Sequence, residues 1–89
     1  MCVIALAIDF AESELLRCSE EFARLCAKVD VQPVVLRKLL SALAGGLDWP
    51  LTRMAMLVKK NKAESSDFAD VSERVRALQE SIREYVALL

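Results

Sequence analysis

The sequence contains no histidine, and its other markers of chemistry are sparse. Histidine is the commonest general base near neutral pH and the commonest zinc ligand, so its absence removes both. The three cysteines, Cys2, Cys18 and Cys26, include no CxxC pair and give neither a disulfide framework nor a zinc motif. Gly45-Gly46 lacks the lysine and hydroxyl residue of a phosphate-binding loop. We therefore expect no catalytic site, no cofactor and no metal.

An excess of charge of either sign is also missing. The 89 residues include 12 Lys and Arg against 13 Asp and Glu, which gives a net charge of −1. Nucleic-acid-binding domains usually carry a basic surface that neutralises phosphates, so this balance disfavours such a partner. Hydrophobic residues make up 55% of the chain, enough for a folded core. At this length we expect a single domain over residues 1–89.

The apolar N-terminal segment, Met1 to Ile8, lacks the basic flank and cleavage site of a signal peptide. It is also too short to cross a bilayer, so no membrane insertion is expected. Together with the odd number of cysteines, this predicts a reducing, cytoplasmic location.

Apolar residues at alternating spacings of three and four predict an all-α fold. The longest such pattern, a seam predicted to be buried, runs from Met1 to Val29 and includes Cys18 and Leu25. The same spacing predicts Leu39 on the buried side of the second helix and a second buried seam through Val71, Val75 and Leu78 in the last helix. The first helix is expected to begin near Asp9 or to run unbroken from residue 2 or 3, and to end around Lys28 to Asp30. The other expected bounds are residues 33–44 with a left-handed Gly45-Gly46 C-cap, Asp48 to about Lys62, and a last helix from Ser65 or Ser66 to the C-terminus.

The expected architecture is a four-helix bundle-like domain with two long, heptad-patterned outer helices and two short middle helices. The short pair either stacks end to end along the long pair or leaves an apolar stripe for a second copy to cover. Because a core this small is hard to stabilise in a monomer, we expect a homodimer.

These features favour a small, non-enzymatic protein–protein interaction module, a regulator, inhibitor or chaperone-like adaptor that acts through helix-in-groove contacts. Its partners would be a second copy of the chain and another protein. The sole tryptophan lies between the short helices, where it either plugs the bundle or anchors a partner. The candidate partner-binding residues are Val3, Ile4, Leu6 and Ile8 of the apolar N-terminal segment, Trp49, and the basic pair Lys59 and Lys60.

The alternative is a compact helix-turn-helix regulator that binds DNA, because residues 25–39 contain two helices joined by a short connection. Arg37, Lys38 and Ser41 would then face the DNA. Against this hypothesis, Val34 and Val35 occupy the start of the second helix, where polar side chains that read bases are expected.

Overall fold

The computed structural model describes residues 3–61 and 66–89, with the side chains of residues 5–60 and 66–89. Every regular element in these ranges is an α-helix, which confirms the all-α fold. Two predicted positions, Lys62 and Ser65, lie outside the described residues. The helices are α1 (Val3–Ala27), α2 (Pro33–Gly46), α3 (Asp48–Asn61) and α4 (Ser66–Ala87).

Helix α1 is regular from its first described residue, Val3, so a start near Asp9 is wrong and residues 3–8 of the apolar N-terminal segment belong to the helix. Ala7 and Ala11 are buried, and Ile8 packs against the core. The helix ends at Ala27, before the predicted end. Val29 therefore lies in the connection to α2 and is 99% exposed, so its predicted place in the buried seam is wrong.

Helix α2 begins at Pro33, as predicted, because a proline in the first turn loses no intrahelical hydrogen bond. The preceding Gln32 has extended backbone angles, which proline imposes on its neighbour. The predicted left-handed C-cap is wrong: Gly45 and Gly46 belong to the helix, and the cap is Leu47 with right-handed angles (φ −78°, ψ −11°). The Leu47 N–H bonds to the carbonyls of Ala44 and Gly45.

Only Leu47 separates α2 from α3, so the two short helices follow one another end to end. Pro50 explains the break, because it has no N–H to donate to the carbonyl of Gly46, four residues earlier. We call this pair of helices the α2–α3 rod. At 1.5 Å per residue the rod and α1 are about 42 and 37 Å long, which fits a molecule 47 Å in its longest dimension.

Three rods therefore pack together, where the sequence predicted a four-helix bundle. Helices α1 and α4 run parallel, because Glu12 pairs with Arg74 (3.3 Å) and the ring of Phe22 meets that of Tyr85, with centroids 5.8 Å apart. The α2–α3 rod runs antiparallel to both. The order is up, down, up, with the short helices stacked as the sequence allowed.

The core lies where the three rods meet, and it is almost entirely apolar. Among the residues whose side chains are described, its polar member is Gln79 of α4, which the sequence pattern missed. The Gln79 Nε2 donates to the carbonyl oxygen of Ala44 (2.8 Å) and to Oδ1 of Asp48 (2.7 Å), on either side of the break in the rod. The fully buried side chains include Cys18, Leu40, Leu47, Met54, Val71, Val75 and Ile82.

Candidate interaction groove between α1 and α3

An exposed apolar surface lies between the first half of α1 and helix α3. Leu6 and Phe10 project from α1 with 51% and 43% of their surfaces exposed. Trp49 and Met56 of α3 are 58% and 63% exposed. Large apolar side chains are normally buried, and several of them exposed side by side typically mark a binding surface.

Helical spacing brings these side chains together on two facing walls. Leu6 and Phe10 are four residues apart on α1, and Trp49, Arg53 and Met56 follow at spacings of four and three on α3. All of them except Met56 border a groove of about 400 Å³, which is lined by Leu6, Ala7, Phe10, Trp49, Arg53 and Leu57. We call it the α1–α3 groove.

The α1–α3 groove continues over α3 into a basic region. A second concavity, of about 700 Å³, shares Trp49, Arg53 and Leu57 with the groove and adds Met56, Lys59 and Lys60. In the part of the chain that the structure describes, the ion pairs use other cations, namely Arg17, Arg24 and Arg74. Lys59 and Lys60 are thus exposed cations at the margin of an apolar surface, and Arg53 is an exposed cation within it.

The groups with shifted pKa values lie elsewhere. Hydrogen bonds from Arg17 and Arg24 lower the pKa of Glu14 and Glu21, respectively, on α1. Burial raises the pKa of the Cys18 thiol, which packs as the small hydrophobic residue that its place in the predicted seam indicated. None of these groups lines the groove. Its lining offers apolar contact surface and the positive charge of Arg53, and the adjoining concavity adds the charges of Lys59 and Lys60.

Four of the predicted partner-binding residues line this region: Leu6, Trp49, Lys59 and Lys60. Ile8 is half-buried and packs against the core. Val3 and Ile4 lie in the first turn of α1, and their side chains are outside the described part. Trp49 lies in the first turn of α3, and its exposure excludes the bundle plug that the sequence left open.

The sequence interpretation missed Phe10, Arg53 and Met56. A signal for Phe10 was present, because it follows Leu6 by four residues and therefore lies on the same side of α1. The predicted seam passes through Ile8 instead, so Phe10 was not among the candidate residues. Arg53 and Met56 stand four and seven residues after Trp49 and therefore share its face.

The three residues of the DNA-binding alternative, Arg37, Lys38 and Ser41, are exposed on α2. They do not line the α1–α3 groove. Val34 and Val35 are also exposed in the first turn of that helix, so its N-terminal surface is apolar.

The described residues contain neither a metal-binding cluster nor a membrane-spanning helix. Within residues 3–61 and 66–89, no group of three or more acidic or cysteine side chains is placed to hold a metal ion. No helix in the same ranges is long and apolar enough to cross a membrane. Comparisons with protein-family models, curated proteins and solved structures find no match to this chain.

Proposed function

We propose that the chain is a non-enzymatic protein–protein interaction module that binds a helix of its partner in the α1–α3 groove. The observation that carries the proposal is the exposed set of Leu6, Phe10 and Trp49 on two facing helices, which Met56 extends into the adjoining concavity on α3. Aromatic and methionine side chains are enriched at protein interfaces, and an apolar groove between helices suits a third helix. Regulator, inhibitor and adaptor roles all use such a groove.

The DNA-binding alternative has less support. A helix that reads bases places polar side chains at its N-terminal end, where α2 has Val34 and Val35. The exposed cations Arg37 and Lys38 are two charges in a chain of net charge −1. We therefore place the interaction surface on α1 and α3. The cytoplasmic location inferred from the cysteines also remains a proposal.

Site-specific photocrosslinking tests the proposal. A benzophenone amino acid replaces Trp49 in one variant and Arg83, an exposed residue of α4, in the control. We expect light-dependent adducts of one defined mass from position 49 in cells that express the chain naturally, with the crosslinked peptide mapping to a helix. Equal adducts from both positions, or none from position 49, would contradict the proposal.

A further inference from the structure

We infer that the occupant of the α1–α3 groove is an acidic amphipathic helix of a different protein. It would lie as a fourth rod along the three-rod bundle. The inference rests on the proposed function and names the chemistry of the partner. Helix α3 has 14 residues and is about 21 Å long, so a helix of about four turns matches it.

The apolar half of this partner helix follows from the walls of the groove. Leu6 and Phe10 on one side, Trp49 on the other and Met56 in the adjoining concavity are each more than two fifths exposed. An apolar stripe at spacings of three and four would contact both walls at once. Its burial would remove from water the large apolar surface that the chain itself leaves open.

The acidic half follows from Arg53, Lys59 and Lys60. Cations near the end of a helix favour its own dipole, which accounts for the two lysines at the end of α3. The dipole does not account for Arg53, which lies in the middle of the helix and lines the groove between apolar side chains. Carboxylates on the bound helix would pair with all three cations and select an acidic partner.

Carboxylates of the chain itself are used elsewhere. Asp9 and Glu12 of α1 line a different groove, between α1 and α4, where Glu12 pairs with Arg74. The Asp48 carboxylate accepts the hydrogen bond of Gln79. A second copy bound by its own groove around a two-fold axis would bring like cations together, which disfavours the chain as its own occupant.

Three synthetic peptides of 14 residues test the inference. Each carries leucines at spacings of three and four, and the flanking positions hold Glu, Gln or Lys. Binding of the fluorescently labelled peptides is measured by anisotropy, with the Trp49 emission as a local reporter. We expect the Glu peptide to bind about tenfold more tightly than the Lys peptide, because three exposed ion pairs combine to about that factor.

Two charge-reversal variants make the test specific. R53E/K59E/K60E should reverse the preference in favour of the Lys peptide. R37E/K38E/R83E changes the net charge equally at exposed positions outside the groove and should keep the preference for Glu. Urea unfolding of both variants verifies that they fold.

Each other outcome overturns the inference in a distinct way. Equal binding of the Glu and Lys peptides would reject the acidic partner and leave apolar docking, and thus the proposed function, standing. If no peptide binds, the acidic amphipathic helix is rejected as the occupant of the groove. The proposed function is tested separately by photocrosslinking from position 49. Concentration-dependent burial of Trp49 in the isolated chain would identify a second copy as the occupant. Displacement of the Glu peptide by duplex DNA would identify a nucleic acid.

Discussion

Gln79 is a single polar residue that bridges the break in the α2–α3 rod by hydrogen bonds. Its amide donates to Ala44 at the end of α2 and to Asp48 at the start of α3, so α4 contacts both sides of the break. A buried amide is stable only when its hydrogen bonds are made, and Gln79 makes them. The residue therefore specifies where α4 lies along the α2–α3 rod.

Replacing Gln79 by leucine should destabilise the fold by about 0.5–1.5 kcal/mol, because the hydrogen bonds to Ala44 and Asp48 are lost while the Ala44 carbonyl keeps the bond from the Leu47 N–H. Leucine has a similar volume, so little of this loss would come from a cavity. Urea unfolding measures the change, and E80Q at the exposed neighbouring position should lie within about 0.5 kcal/mol of the wild type. A Q79L protein as stable as E80Q would show that these hydrogen bonds contribute nothing net.

Arg17 and Glu14 provide a pH-dependent contact on the surface of α1. The Arg17 guanidinium donates to both carboxylate oxygens of Glu14, at 2.8 and 3.3 Å, and this hydrogen bonding lowers the pKa of Glu14. A carboxyl with a lowered folded pKa stabilises the fold above its unfolded pKa. This contribution disappears as the pH falls through the folded pKa.

The R17M variant should therefore return the pKa of Glu14 towards its ordinary value. The pKa of Glu21, which is held by Arg24, serves as the internal control and should stay low. NMR titration of the side-chain carboxyl carbons measures both groups in one sample. An unchanged midpoint for Glu14 in R17M would show that the contact is not maintained in solution.

At the scale of the helices, hydrophobic spacing predicted several of the core residues, whereas the glycine pair predicted the wrong cap for α2. The pattern placed Cys18, Leu25, Val71 and Val75 in the core, where they are buried. Leu39 was also expected inside but is exposed, because α2 turns only part of its apolar surface towards α1 and α4. Spacing alone does not tell which of several apolar sides finds a neighbour.

Gln79 and the groove show the same limit. In α4 the predicted seam passes through Leu78, which is half-buried, whereas the adjacent Gln79 is almost fully buried. In a straight helix, positions seven residues apart drift slowly around the helix axis, so a seam predicted from a seven-residue repeat moves towards the neighbouring position. In α4 the hydrogen bond to Ala44 places Gln79 deeper in the core than Leu78. Likewise, Trp49 was recognised as a candidate anchor, but its neighbours across the groove depend on how α1 and α3 pack.

Gly45 offers a prediction at the same scale. It lies inside α2, its backbone does not adopt positive φ, and no atom lies within 4 Å of the position of an added Cβ. G45A should therefore stabilise the protein by about 0.5–1 kcal/mol, because alanine loses less conformational freedom in a helix.

Thermal and urea unfolding measure the effect of G45A. The matched control is A42G, at an exposed position of the same helix, which should destabilise by a similar amount. The left-handed cap inferred from the sequence would have predicted a destabilised G45A protein, so the sign of the change distinguishes the two conformations.

The whole molecule has three rods, and apolar side chains are exposed on several of its described helices. Besides the groove residues, α2 exposes Val34, Val35 and Leu39, each by close to half. Exposed apolar side chains favour association, and the homodimer predicted from the sequence remains our expectation for the isolated chain. Arg53, Lys59 and Lys60 disfavour a symmetric contact through the α1–α3 groove, so the dimer should leave that groove open.

Light scattering coupled to size exclusion should therefore give the mass of two chains, with Trp49 in water at every concentration. Its fluorescence emission should stay at long wavelength over a hundredfold dilution series, since a dimer formed elsewhere does not cover the indole. The W49Q variant should keep the same mass, because Trp49 would lie outside the contact. A single-chain mass throughout the series would reject the dimer. A shift of the emission to shorter wavelength with rising concentration would instead place the dimer contact in the groove, where the like charges of Arg53, Lys59 and Lys60 should make the association stronger at high salt.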